Sequence, residues 1–243
     1  MKKIALIFAG GKGLRMNRKD LPKQFIEING KPIIIYTLEY FQNNEHIDEI
    51  CVVCIKEYID YCSDLVKKFK LNKVKYIIPG GKTGQDSIYK GLIKISENND
   101  SNSIVLIHDG VRPLINQKII NDAIKYTQKY RIAIPCIPCT ETIVKISNNQ
   151  VVDVPKRKES FIAQAPQSFV LEDILSAHNE IRKINENYED VIDSCTLYRM
   201  LGRKIYIYDG LDENIKITTR KDLYLLDALL KYQINECEEK VNE

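Results

Sequence analysis

A chain of 243 residues with 44% apolar content can bury one sizeable core and falls in the size range of a single α/β domain spanning 1–243. Its 36 basic and 33 acidic residues give a net charge of +3. They are spread along the chain, so the balance argues for neither nucleic acid nor a membrane surface and leaves an anionic small molecule open. The longest apolar run near the start, Ile4 to Ala9, is far shorter than a membrane span or a signal-peptide core, and the expected location is cytoplasmic.

Strands are expected at 3–8, 49–55, 74–78 and 103–107, each followed by a helical pattern, at 33–41, 59–69, 86–95 and 117–130. This alternation predicts a Rossmann-like α/β fold, a mostly parallel sheet with helices on both faces. Beyond a strand at 132–135 the pattern breaks, and 139–160 reads as a protruding β-arm. Its signal is the β-rich Thr142-Ile143-Val144-Lys145-Ile146, the turn Asn148-Asn149, and Val151-Val152. Helices return at 172–185 and 190–201, then a strand at 204–208. An amphipathic helix at 220–234 follows, with Leu223, Leu226, Leu229 and Leu230 on its apolar side. The polar residues from Cys237 onward are expected to fray.

Seven cysteines is an odd number, and several lie in apolar segments, which fits reduced buried thiols better than a disulfide framework. Two Cys-x-x-Cys pairs, Cys51/Cys54 and Cys136/Cys139, raise the question of zinc. The first sits in a strand pattern, where residues three apart point to opposite faces.

Parallel sheets bind ligands beyond the carboxyl ends of their strands. Three polar or glycine-rich loops follow strands here, at 10–15, 80–86 and 108–113, and should open onto one crevice. In the first, Gly10, Gly11 and Gly13 let backbone amides approach a phosphate or base without a Cβ in the way. Gly-Lys-Ser/Thr is absent, which excludes a P-loop, and Gly11-x-Gly13-x-x-Met16 lacks the last glycine of the dinucleotide fingerprint. Arg15 and Lys23 are two cations flanking the loop, a pairing suited to a triphosphate that gains charge in its transition state. Standing alone, the loop reads better as a tight turn with solvated charges. Asp109 offers a carboxylate to a hard cation such as Mg²⁺, or acts only as a cap or loop acceptor. His108 beside it reads as structural.

Taken in order, these segments resemble the cytidylyltransferases acting on methylerythritol phosphate and ribitol phosphate. The similarity covers nearly the whole chain: Ala9-Gly10-Gly11-x-Gly13-x-Arg15-Met16, Leu21-Pro22-Lys23-Gln24-Phe25, Gly80-Gly81 with Asp86-Ser87, His108-Asp109-x-x-Arg112-Pro113, Asp153-x-Pro155-x-Arg157, Ala165-Pro166-Gln167-x-Phe169 and Asn214-Ile215-Lys216-Ile217-Thr218. The resemblance implies that Arg15 and Lys23 contact the CTP phosphates, with Lys216 supporting the same charge. Ala9, Gly10, Gly11, Gly13, Gly81 and Ser87 would line the nucleotide pocket, with Asp109 beside the nucleotide and Mg²⁺. Thr142 and Arg157 on the arm, with Asp109 and Lys216, would hold the acceptor, and the arm would swap across a homodimer.

Two departures touch the acceptor side. The methylerythritol branch typically carries an arginine where this chain has Gly84, and a Thr-Asp-Glu/Asp stretch where it reads Ile192-Asp193-Ser194. The Leu-Pro-Lys-Gln-Phe wording and Asp153-Val154-Pro155 look closer to the ribitol-phosphate branch. The expected reaction is CMP transfer from CTP to D-ribitol 5-phosphate. Methylerythritol phosphate is the runner-up acceptor, and glycerol or hexitol phosphates are further candidates. A catalytically silent nucleotide-binding scaffold has no use for Arg15, Lys23 and Lys216 in packing, and a uridylyl or adenylyl transferase would share the glycine loop.

Overall fold

The computed structural model describes residues 1–11, 21–185, 188 and 191–241, with the backbone alone for 234–241. The first half runs β1 (Lys3–Ala9), β2 (Glu27–Ile28), β3 (Lys31–Pro32), α1 (Ile33–Gln42), β4 (Glu49–Cys54), α2 (Ile59–Lys68), β5 (Val74–Pro79), α3 (Gly84–Ser96), β6 (Ile104–Asp109), α4 (Gln117–Tyr130) and β7 (Ile132–Pro138). There follow β8 (Lys145–Ser147), β9 (Gln150–Asp153), β10 (Phe161–Ala163), β11 (Gln167–Val170), α5 (Leu171–Ile184), α6 (Ser194–Met200), β12 (Tyr206–Asp209) and α7 (Arg220–Val241).

The main sheet has the order β10-β7-β11-β6-β1-β4-β5, with β12 paired to β7. β1 is parallel to both β4 and β6, β4 to β5, and β12 to β7. The expected parallel arrangement therefore holds for these strands, while β10 and β11 run antiparallel to β7, and β11 also to β6. The alternation pattern misses β11 for a physical reason: all four of its residues are buried, so no period of two marks it. Its Ser168 hydroxyl is satisfied internally, accepting from Thr127 Oγ1 at 2.7 Å and donating to the Ala133 carbonyl at 2.9 Å.

Alternation along β1 divides the core in two. Ala5, Ile7 and Ala9 pack with α1, α2 and α4 on one face, and Ile4 and Leu6 with α3, α5 and α6 on the other. Side chains capping the helix starts fix where the loops end. Thr83 accepts from the Asp86 amide before α3, and Asn116 from Ile119 before α4. A third cluster joins Leu226 of α7 to Ile26, Ile33, Val111, Leu114 and Ile217, which ties the last helix to the loops at the carboxyl edge of the sheet.

Several boundaries differ from expectation, among them β7, which runs on to Pro138, and the following three. α6 starts at Ser194 because the Asp193 carboxylate accepts from the Thr196 amide at 2.7 Å and caps it there; the expected start, Asp190, lies outside the described residues. β12 begins two residues later than anticipated, at Tyr206. α7 does not end at 234 but stays helical to Val241, since no Gly or Pro interrupts the sequence after Arg220. Among the described residues no helix is long and apolar enough to cross a membrane.

The arm forms as expected. β8 and β9 pair Ile146 with Val151 and Ser147 with Gln150. Asn148 and Asn149 between them take φ of 49° and 61°, the left-handed pair that a two-residue hairpin turn requires and asparagine tolerates.

Candidate active site

Where they are described, the three expected loops converge. In the parallel register Phe8 of β1 stands beside Asp109 of β6, and the Gly110 amide donates to the Phe8 carbonyl at 3.0 Å. On the other side the Gly80 amide donates to the Cys54 carbonyl at 2.7 Å, carrying β4's end into the second loop. A Cβ on Gly10 would stand 3.1 Å from Ser87 Oγ and 3.9 Å from Gly80 Cα, so the first two loops touch. Gln24 Nε2 donates to the Ala9 carbonyl at 2.6 Å and fixes the strand end. Gly11 is exposed; Gly13 and Arg15 lie outside the described residues.

Asp109 is the electrostatic centre. Lys216 Nζ lies 2.5 Å from its Oδ1 and Arg112 Nε 3.1 Å from its Oδ2. Burial pushes the Asp109 carboxyl up, but the Lys216 and Arg112 charges outweigh it and hold the group below its ordinary value. Arg112 also donates to the Asn214 carbonyl at 2.6 Å, and the Ile217 amide to the Val111 carbonyl at 2.9 Å. Together they pin the 214–218 segment that carries Lys216. Lys23 reaches the same segment, its Nζ donating to the Ile217 carbonyl at 2.9 Å. His108, fully buried against Phe41, donates from Nε2 to the Arg112 carbonyl at 3.1 Å. Burial lowers its pKa to about 4, so it is a neutral structural imidazole, as expected.

The second loop is built around two side chains of α3. Ser87 Oγ accepts from the Gly81 amide at 2.9 Å and donates to the Thr83 carbonyl at 2.8 Å. The Asp86 carboxylate accepts from the Lys82 amide at 3.2 Å, and a Cβ on Gly81 would fall 1.8 Å from its Oδ2. Gly81 is therefore sterically obligatory. Ser87 organises this loop as well as standing beside Gly10.

A cavity of about 310 Å³ opens beside Asp109, Arg112 and Lys216 and runs between Gly84, Gln164, Gln167 and Ile192–Ser194. Both departures noted in the sequence thus face one cavity. Gln167 holds its far wall, donating from Nε2 to Asp193 Oδ2 at 2.9 Å and accepting from the Cys195 amide at 3.0 Å. Gln164 donates to the Leu211 carbonyl at 2.8 Å and accepts from the Leu211 amide at 3.0 Å. A larger groove of about 760 Å³ lies between β2 and α7, and its walls carry none of the candidate site residues.

Thr142 and Arg157 meet on the arm, Arg157 Nη2 donating to Thr142 Oγ1 at 3.1 Å. Both are exposed and neither lines the cavity. Cys51 and Cys54 belong to the clusters on opposite faces of the sheet, as strand alternation requires, and among the described residues no group of three or more metal-ligating side chains forms. Sequence reasoning quoted Arg112 and Gln167 but gave them no role, and it missed Gln164. Arg112 had a usable signal, a cation three residues beyond a strand-end aspartate. The glutamines had a weaker one, polar residues flanking Ala165-Pro166 between apolar stretches.

Comparison with known proteins accords with this arrangement. The family model described as IspD, 2-C-methyl-D-erythritol 4-phosphate cytidylyltransferase, matches residues 3–232. A ribitol-5-phosphate cytidylyltransferase of Vibrio parahaemolyticus is 50% identical over 233 residues, covering 96% of this chain and 97% of the relative. A 2-C-methyl-D-erythritol 4-phosphate cytidylyltransferase of Clostridium botulinum is 41% identical over 232 residues, covering 95% and 98%. The crystal structure of 4-diphosphocytidyl-2C-methyl-D-erythritol synthase from Anaerococcus prevotii superposes with a TM-score of 0.81 at 28% identity, covering 95% of this chain and 96% of that one. With a match to the family model over residues 3–232 and 50% identity to a relative over nearly its full length, the chain belongs to the IspD family of cytidylyltransferases.

Proposed function

We propose that the protein transfers CMP from CTP to D-ribitol 5-phosphate, giving CDP-ribitol and pyrophosphate. The observation that carries the chemistry is the set of Lys216, Arg112 and Asp109 at the mouth of the cavity, with Lys23 tied to the same segment. The choice of acceptor is supported by the 50% identity to a ribitol-5-phosphate cytidylyltransferase against 41% to a methylerythritol-phosphate one. It is supported also by Gly84 and Ile192 on the cavity wall.

In this reading Arg15 and Lys23 hold the CTP phosphates and spread the charge that grows at the α-phosphorus. Ala9, Gly10, Gly11, Gly13, Gly81 and Ser87 shape the nucleotide pocket. Lys216 gains an anionic partner in the substrates, and Asp109 keeps it aimed until they arrive. The acceptor is already an anion near neutral pH, so its phosphate oxygen attacks the α-phosphorus in line without a strong general base. Positioning and charge neutralisation then supply the rate. Among the described residues no histidine lines the cavity, in keeping with that chemistry.

Asp109 is the carboxylate that would hold Mg²⁺, but Lys216 and Arg112 engage both of its oxygens and both Asp193 oxygens are hydrogen-bonded, so the ion would be carried mainly by phosphates and water, and Asp109 would reach it only in exchange for one of its cations. When bound, the ion would neutralise phosphate charge.

The partner is a second copy of the chain. Ile146, Val151, Val152 and Val154 on the arm are more than half exposed, an apolar stretch that a homodimer would cover. Thr142 and Arg157 would then grip the acceptor phosphate in the partner's cavity. Reduced thiols and a CTP substrate fit a cytoplasmic protein acting as one domain.

The direct test is turnover of CTP and Mg²⁺ with each polyol phosphate separately, read as pyrophosphate release, together with Lys23→Ala and Arg15→Ala. Turnover with ribitol 5-phosphate, lost by orders of magnitude in folded variants, is expected. Turnover with methylerythritol phosphate alone would sink the acceptor assignment, and unimpaired variants the mechanism.

A further inference from the structure

Arg182, on α5, belongs to none of the motifs that mark the family, yet it reaches the back of the nucleotide loop. Its Nη2 lies 3.8 Å from Asp86 Oδ1, while Asp86 Oδ2 faces Lys90 Nζ at 3.6 Å and accepts from the Lys82 amide at 3.2 Å. The guanidinium carbon sits 4.1 Å from the ring centre of Tyr89 and 4.5 Å from that of Tyr188. Tyr89 belongs to α3, the helix that carries the loop, and Tyr188 lies between α5 and α6 in the sequence.

Asp86 is 9% exposed, and a carboxylate so enclosed needs opposite charge nearby to keep its place. Its place matters because it accepts from the Lys82 amide and packs directly against Gly81, where a Cβ would fall 1.8 Å from Oδ2, so drift of Asp86 gives up a hydrogen bond that holds the loop at Gly81 and Lys82. Lys90 is committed partly to the loop itself, donating to the Gly80 carbonyl at 3.2 Å. Arg182 is the brace from the other side, and its planar group, unlike an ammonium, can stack on two aromatic rings while pointing its edge at the carboxylate.

We propose that Arg182 is a positioning residue for nucleotide binding, acting through Asp86 on the Gly80–Lys82 loop. The proposal rests on the reading of that loop as part of the CTP site. Arg182 is not among the residues that line the cavity and acts from behind the loop, so its removal should weaken CTP binding and leave the chemical step alone.

The test measures CTP affinity by calorimetry without acceptor, and steady-state constants with it, for Arg182→Ala, Arg182→Lys, Asp86→Asn, the Arg182→Ala/Asp86→Asn pair and Ser87→Ala. Thermal unfolding serves as the folding check. Arg182→Ala is expected to raise the CTP Kd and KM about threefold to tenfold, with kcat and the acceptor KM within about twofold. Arg182→Lys should recover part of the loss. In the Asp86→Asn background Arg182→Ala should add nothing, because the two act in one chain of contacts. An unchanged CTP Kd in Arg182→Ala, a loss confined to kcat, or full additivity with Asp86→Asn would overturn the proposal. Ser87→Ala separates the two levels: if it too leaves CTP affinity unchanged, the reading of the loop fails. If it weakens CTP while Arg182→Ala does not, only the role of Arg182 fails. Should Arg182→Ala not fold, Arg182→Lys and Asp86→Asn carry the same comparison.

Discussion

Lys216 Nζ lies 2.5 Å from Asp109 Oδ1, an ion pair that joins the segment before α7 to the last residue of β6 across the mouth of the cavity. Without substrate, each charge is the other's partner. In the proposed mechanism an incoming phosphate competes for Lys216, and the second cation on Asp109, Arg112, keeps the carboxylate from being stranded. Lys216→Met should therefore lower kcat by about 100-fold or more, the scale for losing a charged stabiliser of a transition state, while the protein stays folded. Kinetics beside thermal unfolding check this, and a Lys216→Met enzyme with near-normal kcat would reduce the residue to a structural pin.

The proposed arm exchange predicts complementation between inactive variants. Arg157→Ala spoils the partner's site and Lys216→Ala its own, so a mixed dimer keeps one intact site. Random mixing after dissociation should restore about a quarter of the wild-type activity, from half the dimers each holding one working site of two. Activity that stays at the sum of the separate variants would show that Arg157 serves its own protomer or none.

Two buried histidines set a pH dependence of stability. Burial lowers both His108 and His178 from 6.5 to about 4, and neither ring nitrogen of His178 has a hydrogen-bond partner among the described residues. The native state keeps them neutral while the unfolded chain takes up protons below about pH 6.5. Their contribution is thus fully present above that pH and is lost as pH falls toward 4, by up to about 3 kcal/mol for each group. Urea unfolding from pH 7 to 4.5 should show the decline, and His178→Leu should flatten it. An equal slope in that variant would contradict the assignment.

The legibility of the fold followed its periodicity. Strands buried on both faces by helices, such as β1 and β4, stood out as apolar runs closed by loops, and Asn148-Asn149 marked a hairpin because few other pairs accept two left-handed residues. β11 stayed hidden since Gln167 finds its partners at the start of α6 and Ser168 on the neighbouring strand β7, and a one-dimensional reading has no access to those partners. The same limit applied at the site. Asp109, Lys216 and the glycine loop were visible as residue types in order, whereas the bracing of Asp86 by Arg182 joins residues 96 positions apart, with no shared pattern.

The cavity wall should control acceptor choice. A Cβ at Gly84 meets nothing within 4 Å, and Ile192 is 91% exposed, so both positions tolerate change without disturbing the core. Gly84→Arg with Ile192→Thr should move preference toward methylerythritol phosphate by about tenfold or more in relative kcat/KM, the scale on which one substrate hydrogen bond discriminates. Unaltered preference, measured with both acceptors, would place the specificity elsewhere.

The most direct test offers the enzyme CTP, Mg²⁺ and equal concentrations of D-ribitol 5-phosphate and methylerythritol phosphate, and identifies the products by mass. CDP-ribitol in large excess is the predicted outcome. A product pool dominated by the methylerythritol conjugate, or CTP consumed without either, would contradict the account.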